Sequence, residues 1–396
     1  MRILHFREAF SALSETFIYD SYIEQLNLGL DCHFATLRRV DAESRPAEHV
    51  HLVPVPSRAH PARILSRIEG RLRGMPRAER PYLIYARGLR ELVQRLHPRV
   101  LHAHFGTAGV IAELATRDLP VSLMVTFYGY DISRLPSTPG WLRHYSRLFA
   151  RASQVLVLSA NMQQEALALG ANPAKTRIVH LSRKLEDLPF SPREGAVRRW
   201  LSVGRLVEKK GMADAISAVA MLRARQVPVE LDVVGDGPLL APLVERVERL
   251  GLNQSVRFLG ALPSAEVVRA LRETDAFLLC SKTASDGDQE GTPTVLIEAQ
   301  AIGRPCVSTL HAGIPEMFAP DSRWTLAPEG SVADIAERMA RVIRLSDQER
   351  AKLVRAGREH VESGFSSTSQ ALELARLYRE LAESGSEPGT REPGAR

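Results

Sequence analysis

EGTPTVLIE, residues Glu290 to Glu298, places two carboxylates with seven residues between them around a helix start. Gly291 can take backbone angles that other residues avoid. Thr292 suits the N-cap of a helix, and Pro293 suits its first position. A helix is expected from there through Val295, Leu296 and Ile297 to Ala301, with Gly303 as its stop. Its free N–H groups and positive dipole end would make a phosphate site. Glu290 lies just before that site and Glu298 just over one turn inside the helix. One acid is then near whatever is attached to the phosphate, and the other reaches a hydroxyl on its far side. That arrangement suits a nucleotide sugar.

Working outward, the flanking sequence alternates strands and helices, which reads as an α/β protein with parallel sheets. Towards the C-terminus, strands are expected at Trp200–Val203, Val229–Val234, Val256–Leu259 and Ala276–Cys280. Helices are expected at Gly211–Arg225, Leu240–Leu250 and Ser264–Glu273. Towards the N-terminus, strands are expected at Ile3–Phe6, Val100–His104, Val121–Phe127 and Gln154–Ser159, with a helix at Ser14–Leu28. A break near Pro189–Val197, PFSPREGAV, separates two Rossmann-like halves. The expected division is 1–189, 190–365, a helix at 366–383 packing back on the first half, and a disordered tail at 384–396. Ligands bind beyond the carboxyl ends of such strands. There lie Gly204-Arg205, Gly235-Asp236-Gly237 and Lys282–Thr294, one side of an expected cleft.

The chain of 396 residues has length for two ordinary domains, and its 44% hydrophobic and 25% charged content is that of a soluble globular protein. MRILHFREAF does not read as a secretory leader, and no apolar run approaches the roughly 18 residues of a membrane span. Cys32, Cys280 and Cys306 are isolated, which argues against a disulfide framework or a zinc site and fits a reducing cytoplasm. Residues 1–190 carry 25 Lys and Arg against 17 Asp and Glu, an excess of eight. Most of it is one patch, Arg58 to Arg99, with 11 arginines against Glu69, Glu79 and Glu91.

Arg205 and Lys210 stand in GRLVEKKG directly after a strand. Two cations there would neutralise the charge that develops on a diphosphate leaving group without a metal. Taken together, GRLVEKKG, GDGP, VRFLG and EGTPTVLIEAQAIGRPCV resemble the family 4 (group 1) retaining glycosyltransferases of the GT-B fold. The resemblance runs from Ser202 to about Leu381. SETFI at Ser14–Ile18, HAHF at His102–Phe105, TFYGYD at Thr126–Asp131 and DGDQEG at Asp286–Gly291 resemble the branch that builds exopolysaccharides such as colanic acid. The resemblance implies a metal-independent transfer with retention, in which a nucleoside diphosphate sugar is a substrate and no cofactor is needed. It implies that Glu290 contacts the donor sugar and Glu298 the ribose, and that Arg205 and Lys210 hold the diphosphate. The amides of Gly291, Thr292, Pro293 and Thr294 mark the phosphate cradle, and the loop after Phe258 flanks the base.

The chain departs from the family pattern in three places. Tyr128 stands where histidine is usual. It keeps a hydrogen-bond donor but cannot become cationic near neutral pH, so both contact with the donor sugar and simple packing are open to it. VHLSRKLEDLPF lacks the usual glycine and aspartate, and REAFSALS lacks the glycines that many relatives place against the phosphate. Asp286-Gly287-Asp288 has the form of a D-x-D metal motif but reads as a loop turn, so no metal is expected. His102 and His104 point to one face of their strand. His104, nearer its carboxyl end, and Asp131 are the candidates for acceptor contact.

Arg63, Arg67 and Arg71 recur at helical spacing, with Leu65, Ile68 and Leu72 on another face. Two readings stand: a helix lying on an anionic membrane, or a solvated face. Nucleic acid is not expected, since no such module is present and few aromatics interleave with the arginines. The sequence is that of a cytoplasmic enzyme, either free or peripheral on the inner membrane face, expected to act on a saccharide or lipid-linked saccharide. A nucleotide-sugar epimerase of the same fold and a non-catalytic membrane-docked scaffold are the alternatives.

Overall fold

The structure, a computed structural model, describes residues 1–11, 15–43, 45–56, 61–72 and 80–384. The side chains of residues 62–64, 66, 67 and 384 lie outside the described residues. The chain divides into two compact units. One holds Met1–Val157, Gln163–Val179 and the chain from Ala371, and the other holds Leu158–Met162 and His180–Gln370.

Seven parallel strands form the sheet of the first unit: β1 (Arg2–Phe10), β2 (Asp31–Arg39), β3 (Val50–Leu52), β4 (Val100–His104), β5 (Ser122–Thr126), β6 (Gln154–Val157) and β7 (Thr176–Ile178). Their order is β3-β2-β1-β4-β5-β6-β7. Strands such as VLHAH and QVLV are buried at every residue, because helices cover both faces of a parallel sheet. β1 extends past the expected Ile3–Phe6, since it pairs with β2 as far as Phe10 opposite Arg39. The same register sets His5 beside His102. The first helix is Thr16–Asn27; Ser14, its expected start, lies outside the described residues.

The sheet of the second unit has six parallel strands: β8 (Arg199–Val203), β9 (Glu230–Val234), β10 (Val256–Gly260), β11 (Ala276–Leu278), β12 (Cys306–Thr309) and β13 (Leu326–Ala327). Alternation along β8 and β11 serves two cores. Trp200 and Leu278 join the face covered by the helices Met212–Ala224 and Val332–Arg344. Leu201 and Phe277 join the face covered by the helix Thr294–Ile302. The order is β10-β9-β8-β11-β12-β13. The direction of winding therefore reverses between β8 and β11, and the loops that leave these two strands flank the switch point where ligands bind. Gly211 lets those loops touch. Its φ is +62°, and a Cβ there would stand 1.7 Å from the Cys280 carbonyl oxygen.

The main run of the second unit begins at His180, ahead of the expected break at Pro189–Val197. The cause is packing: Leu185 and Leu188 belong to the same core as Leu201, Leu296 and Phe365. At the other end, the helix Ser367–Ser384 sends Leu374, Leu377, Tyr378 and Leu381 into the first core, among Ile3, Val100 and Met124. The expected tail from 384 falls almost entirely outside the described residues. All three cysteines are free and buried. No helix among the described residues is long and apolar enough to cross a membrane.

Candidate functional site

β8 ends at Val203, and the chain passes through Gly204 and Arg205 into a short helical turn, Glu208–Lys210. Consecutive lysines there grip the loop that follows β11. Lys209 Nζ is 2.9 Å from Asp288 Oδ1 and 2.9 Å from the Gln289 carbonyl oxygen. Lys210 Nζ is 2.8 Å from Glu290 Oε2, and Lys209 Nζ is 4.0 Å from Glu290 Oε1. Burial alone would push the Glu290 acid up, but Lys210 and then Lys209 override it and hold the carboxyl below its ordinary range. Oε1 of Glu290 is buried and has no hydrogen-bond partner among the described residues. A charged oxygen with no donor is costly unless a ligand supplies one.

Arg205 is exposed, and its guanidinium makes no hydrogen bond or ion pair among the described residues. It is therefore free to meet an anion. The helix after the loop starts at Thr294, with Pro293 in the N-cap position. This corrects the expected Thr292 cap. Pro293 takes ψ +98°, outside the helical range, and its carbonyl accepts from Leu296 N–H to close the first turn. Among the described residues no side chain caps this helix start. Among the described residues the N–H groups of Gly291, Thr292 and Thr294 make no hydrogen bond, which leaves three donors at the positive end of a helix dipole. The helix stops at Gly303, whose φ is +90°, as the sequence implied.

Glu298 is buried, and Arg183 Nε stands 2.9 Å from its Oε1. Sequence reasoning did not find this partner. The available signal was the irregular segment VHLSRKLEDLPF, which contains Arg183. A second support was also missed. Glu290 N–H donates to His311 Nε2 at 3.0 Å, and His311 Nδ1 is 2.7 Å from Glu329 Oε1. Because Nε2 accepts, Nδ1 carries the proton and donates to the carboxylate. The other oxygen of Glu329 accepts from Thr283 N–H at 2.8 Å. One His–Glu pair thus fixes both ends of the loop between β11 and the helix. His311 follows β12 at its carboxyl end, which is the signal that could have found it. Phe258 packs against the core beneath its sheet, and the neighbouring Leu259 is exposed.

Tyr128, His104 and Asp131 belong to the first unit. Tyr128 lies against Phe17 and Phe105, and its hydroxyl is 2.6 Å from His104 Nδ1. His104 Nε2 is 3.0 Å from His5 Nδ1. With both ring nitrogens engaged and the ring buried, His104 sits in the core and not on an acceptor surface. Asp131 is fully buried and accepts from the N–H groups of Tyr128, Gly129 and Gly106. Burial raises its acid to about 6 against the pull of those donors. It organises the TFYGYD loop.

Within DGDQEG, the Asp288 carboxylate is paired with Lys209, and Asp286 accepts from Asp288 N–H at 3.0 Å. That is the hydrogen bonding of a turn. Among the described residues, the one trio that brings potential metal-ligand atoms within 4.8 Å of each other is His5, His102 and His104. Its nitrogens are already largely bonded: His102 is 2.7 Å from the Tyr378 hydroxyl and 2.7 Å from Thr126 Oγ1. Burial pushes all three acids down, that of His5 to about 3.

The family described as Glycosyl transferases group 1 matches residues 186–360, and a glycosyl transferase 4-like domain matches residues 23–182. The chain is 31% identical over 411 residues to the putative colanic acid biosynthesis glycosyltransferase WcaL of Escherichia coli (strain K12), covering 96% of this chain and 100% of that protein. It is 36% identical over 286 residues to the amylovoran biosynthesis glycosyltransferase AmsK of Erwinia amylovora, covering 70% and 69% of the two chains. Among solved structures, Anabaena HepE in complex with UDP-glucose has the same fold, with a TM-score of 0.74 at 17% identity over 96% of this chain and 100% of that one.

Proposed function

We propose that this chain, which belongs to the group 1 glycosyltransferases, moves a sugar from a nucleoside diphosphate to a saccharide hydroxyl with retention and without a metal. It is a glycosyltransferase of the GT-B fold, and polysaccharide biosynthesis is its setting. The observation that carries the reading is Lys210 Nζ at 2.8 Å from buried Glu290 Oε2, beside a helix start and an Arg205 that have no side-chain partner among the described residues. The donor diphosphate would lie on the N–H groups of Gly291, Thr292 and Thr294. Arg205 and Lys210 would face its oxygens, and the sugar would approach Oε1 of Glu290. As the glycosidic bond breaks, charge grows on the diphosphate, and these fixed donors stabilise it most in the transition state. Glu298 would bind the ribose, sharing its carboxylate with Arg183.

The acceptor in this reading is a saccharide or a lipid-linked saccharide at the cytoplasmic face of a membrane. A panel of nucleoside diphosphate sugars, screened by thermal shift and then assayed for transfer, tests the reading. One donor should raise the melting temperature through binding to the folded state and should be consumed only when an acceptor is supplied.

Glu290→Gln should lower kcat with little change in donor affinity, since its carboxylate faces the centre that changes charge. Glu298→Gln should raise the donor Kd with a smaller effect on kcat, since the ribose is the same before and after reaction. Steady-state kinetics and donor titration check both, and the opposite pattern would reverse the two roles.

Activity should persist in excess chelator. The two cations and the helix dipole supply the charge, and Asp288 already holds a lysine. Loss of transfer on chelation, restored by manganese or magnesium, would return Asp286 and Asp288 to the role of ligands.

A further inference from the structure

The helix Pro61–Leu72 turns its apolar side to solvent. Leu65, Ile68 and Leu72 are 60%, 53% and 84% exposed. Spacings of three and four put them on one stripe. The fold holds the helix by a different edge. Gly70 is buried against Arg80, where a Cβ would stand 2.7 Å from that side chain. Glu69 is 2.6 Å from Arg87 in the next helix, Pro81–Leu96. Single exposed leucines are ordinary on a protein surface, whereas three large apolar side chains in one stripe mark an interaction site.

Charge identifies the occupant. Arg71 is exposed at the edge of the stripe, and the sequence puts Arg63 and Arg67 at the same helical spacing, although their side chains lie outside the described residues. The stretch from Arg58 to Arg99 carries 11 arginines against three glutamates. A partner for such a helix is apolar inside and anionic at its rim, which is the profile of an anionic lipid leaflet. A second copy of this basic chain would instead bring arginine against arginine.

We propose that Pro61–Leu72 is a membrane-surface anchor, with Leu65, Ile68 and Leu72 seated at the acyl boundary and Arg71 at the headgroups. The long arginine stem suits that position, since it can cover apolar surface while its charge stays in water. The leucines, not the arginines, supply the part of the binding that salt does not screen. The proposal rests on the transferase reading only for its acceptor, a saccharide carried on lipid.

The test is flotation of the full chain with vesicles of phosphatidylglycerol and phosphatidylcholine, at low and high salt, with the donor-induced thermal shift measured on the same samples. Wild type should float, with a fraction retained at high salt. The variant Leu65→Ser/Ile68→Ser/Leu72→Ser should partition about a hundredfold less or weaker still, while its donor shift is unchanged. Arg71→Gln should lose binding chiefly at low salt. Three results would each overturn the anchor: wild type that ignores the vesicles, a triple variant that floats like wild type, or a wild-type dimer that the triple substitution converts to monomer. In all three the transferase reading stands if donor binding persists, and it fails separately if no nucleotide sugar binds.

Discussion

Arg205→Ala and Lys210→Ala each lower transfer by about 10²-fold or more, the scale of removing one donor to a developing anion. The two differ in what else they cost. Arg205 is exposed with no partner among the described residues, so its loss leaves the melting temperature unchanged. Lys210 is one half of a buried pair. Removing it strands Glu290 beside Lys209 alone, and breaking a buried pair costs about 3–5 kcal/mol. Lys210→Ala should therefore melt earlier as well as turn over slowly. Kinetics and thermal melts on both variants check this. Near-normal turnover in Arg205→Ala would remove the diphosphate from this loop.

The paired behaviour of these residues also shows what the sequence could and could not convey. Strand–helix alternation and the helix stop at Gly303 were legible because each depends on local pattern: period, apolar run and a left-handed glycine. The meeting of Lys210 with Glu290 was legible because the loops that carry them leave adjacent strands, β8 and β11, at a switch point. The start of the Thr294–Ile302 helix was misplaced by one residue, since Thr292 and Pro293 have the right propensities but Pro293 is held in an extended conformation. Arg183 on Glu298, and the Glu329–His311 support under Glu290, are contacts between segments far apart in sequence. No local rule encodes them. His104 misled for a related reason. It lies near the carboxyl end of a strand, where ligands bind, yet its partners His5 and Tyr128 come from other strands and loops and close over it. The buried histidines looked like site residues because their chemistry is the same in either role; only the register of β1 against β4 shows that they face each other.

That histidine group should make the first unit sensitive to acid. In the folded chain burial lowers the His5 acid from 6.5 to about 3, and those of His102 and His104 are lowered well below the ordinary value. The unfolded chain thus takes up protons first as pH falls. Stability from these groups is fully present above about 6.5 and is lost as pH drops towards the folded values. His5 alone would forfeit on the order of 5 kcal/mol across that window. Asp131 acts in the opposite sense: burial raises its acid from 3.8 to about 6, so between those values acid favours the folded state. It is one group against three, and its shift is smaller than that of His5. Urea unfolding followed at pH 7.5, 6 and 5 should therefore show a falling midpoint. His5→Asn, which can still hydrogen-bond to His104 but cannot titrate, should be weaker at neutral pH and lose less between pH 6.5 and 5. Equal wild-type stability at pH 7 and pH 5 would mean that these histidines take up protons in the native state over the same range as in the unfolded chain. Their stacking, with the rings of His102 and His104 4.4 Å apart, would then need counter-charges that the described residues around them do not provide.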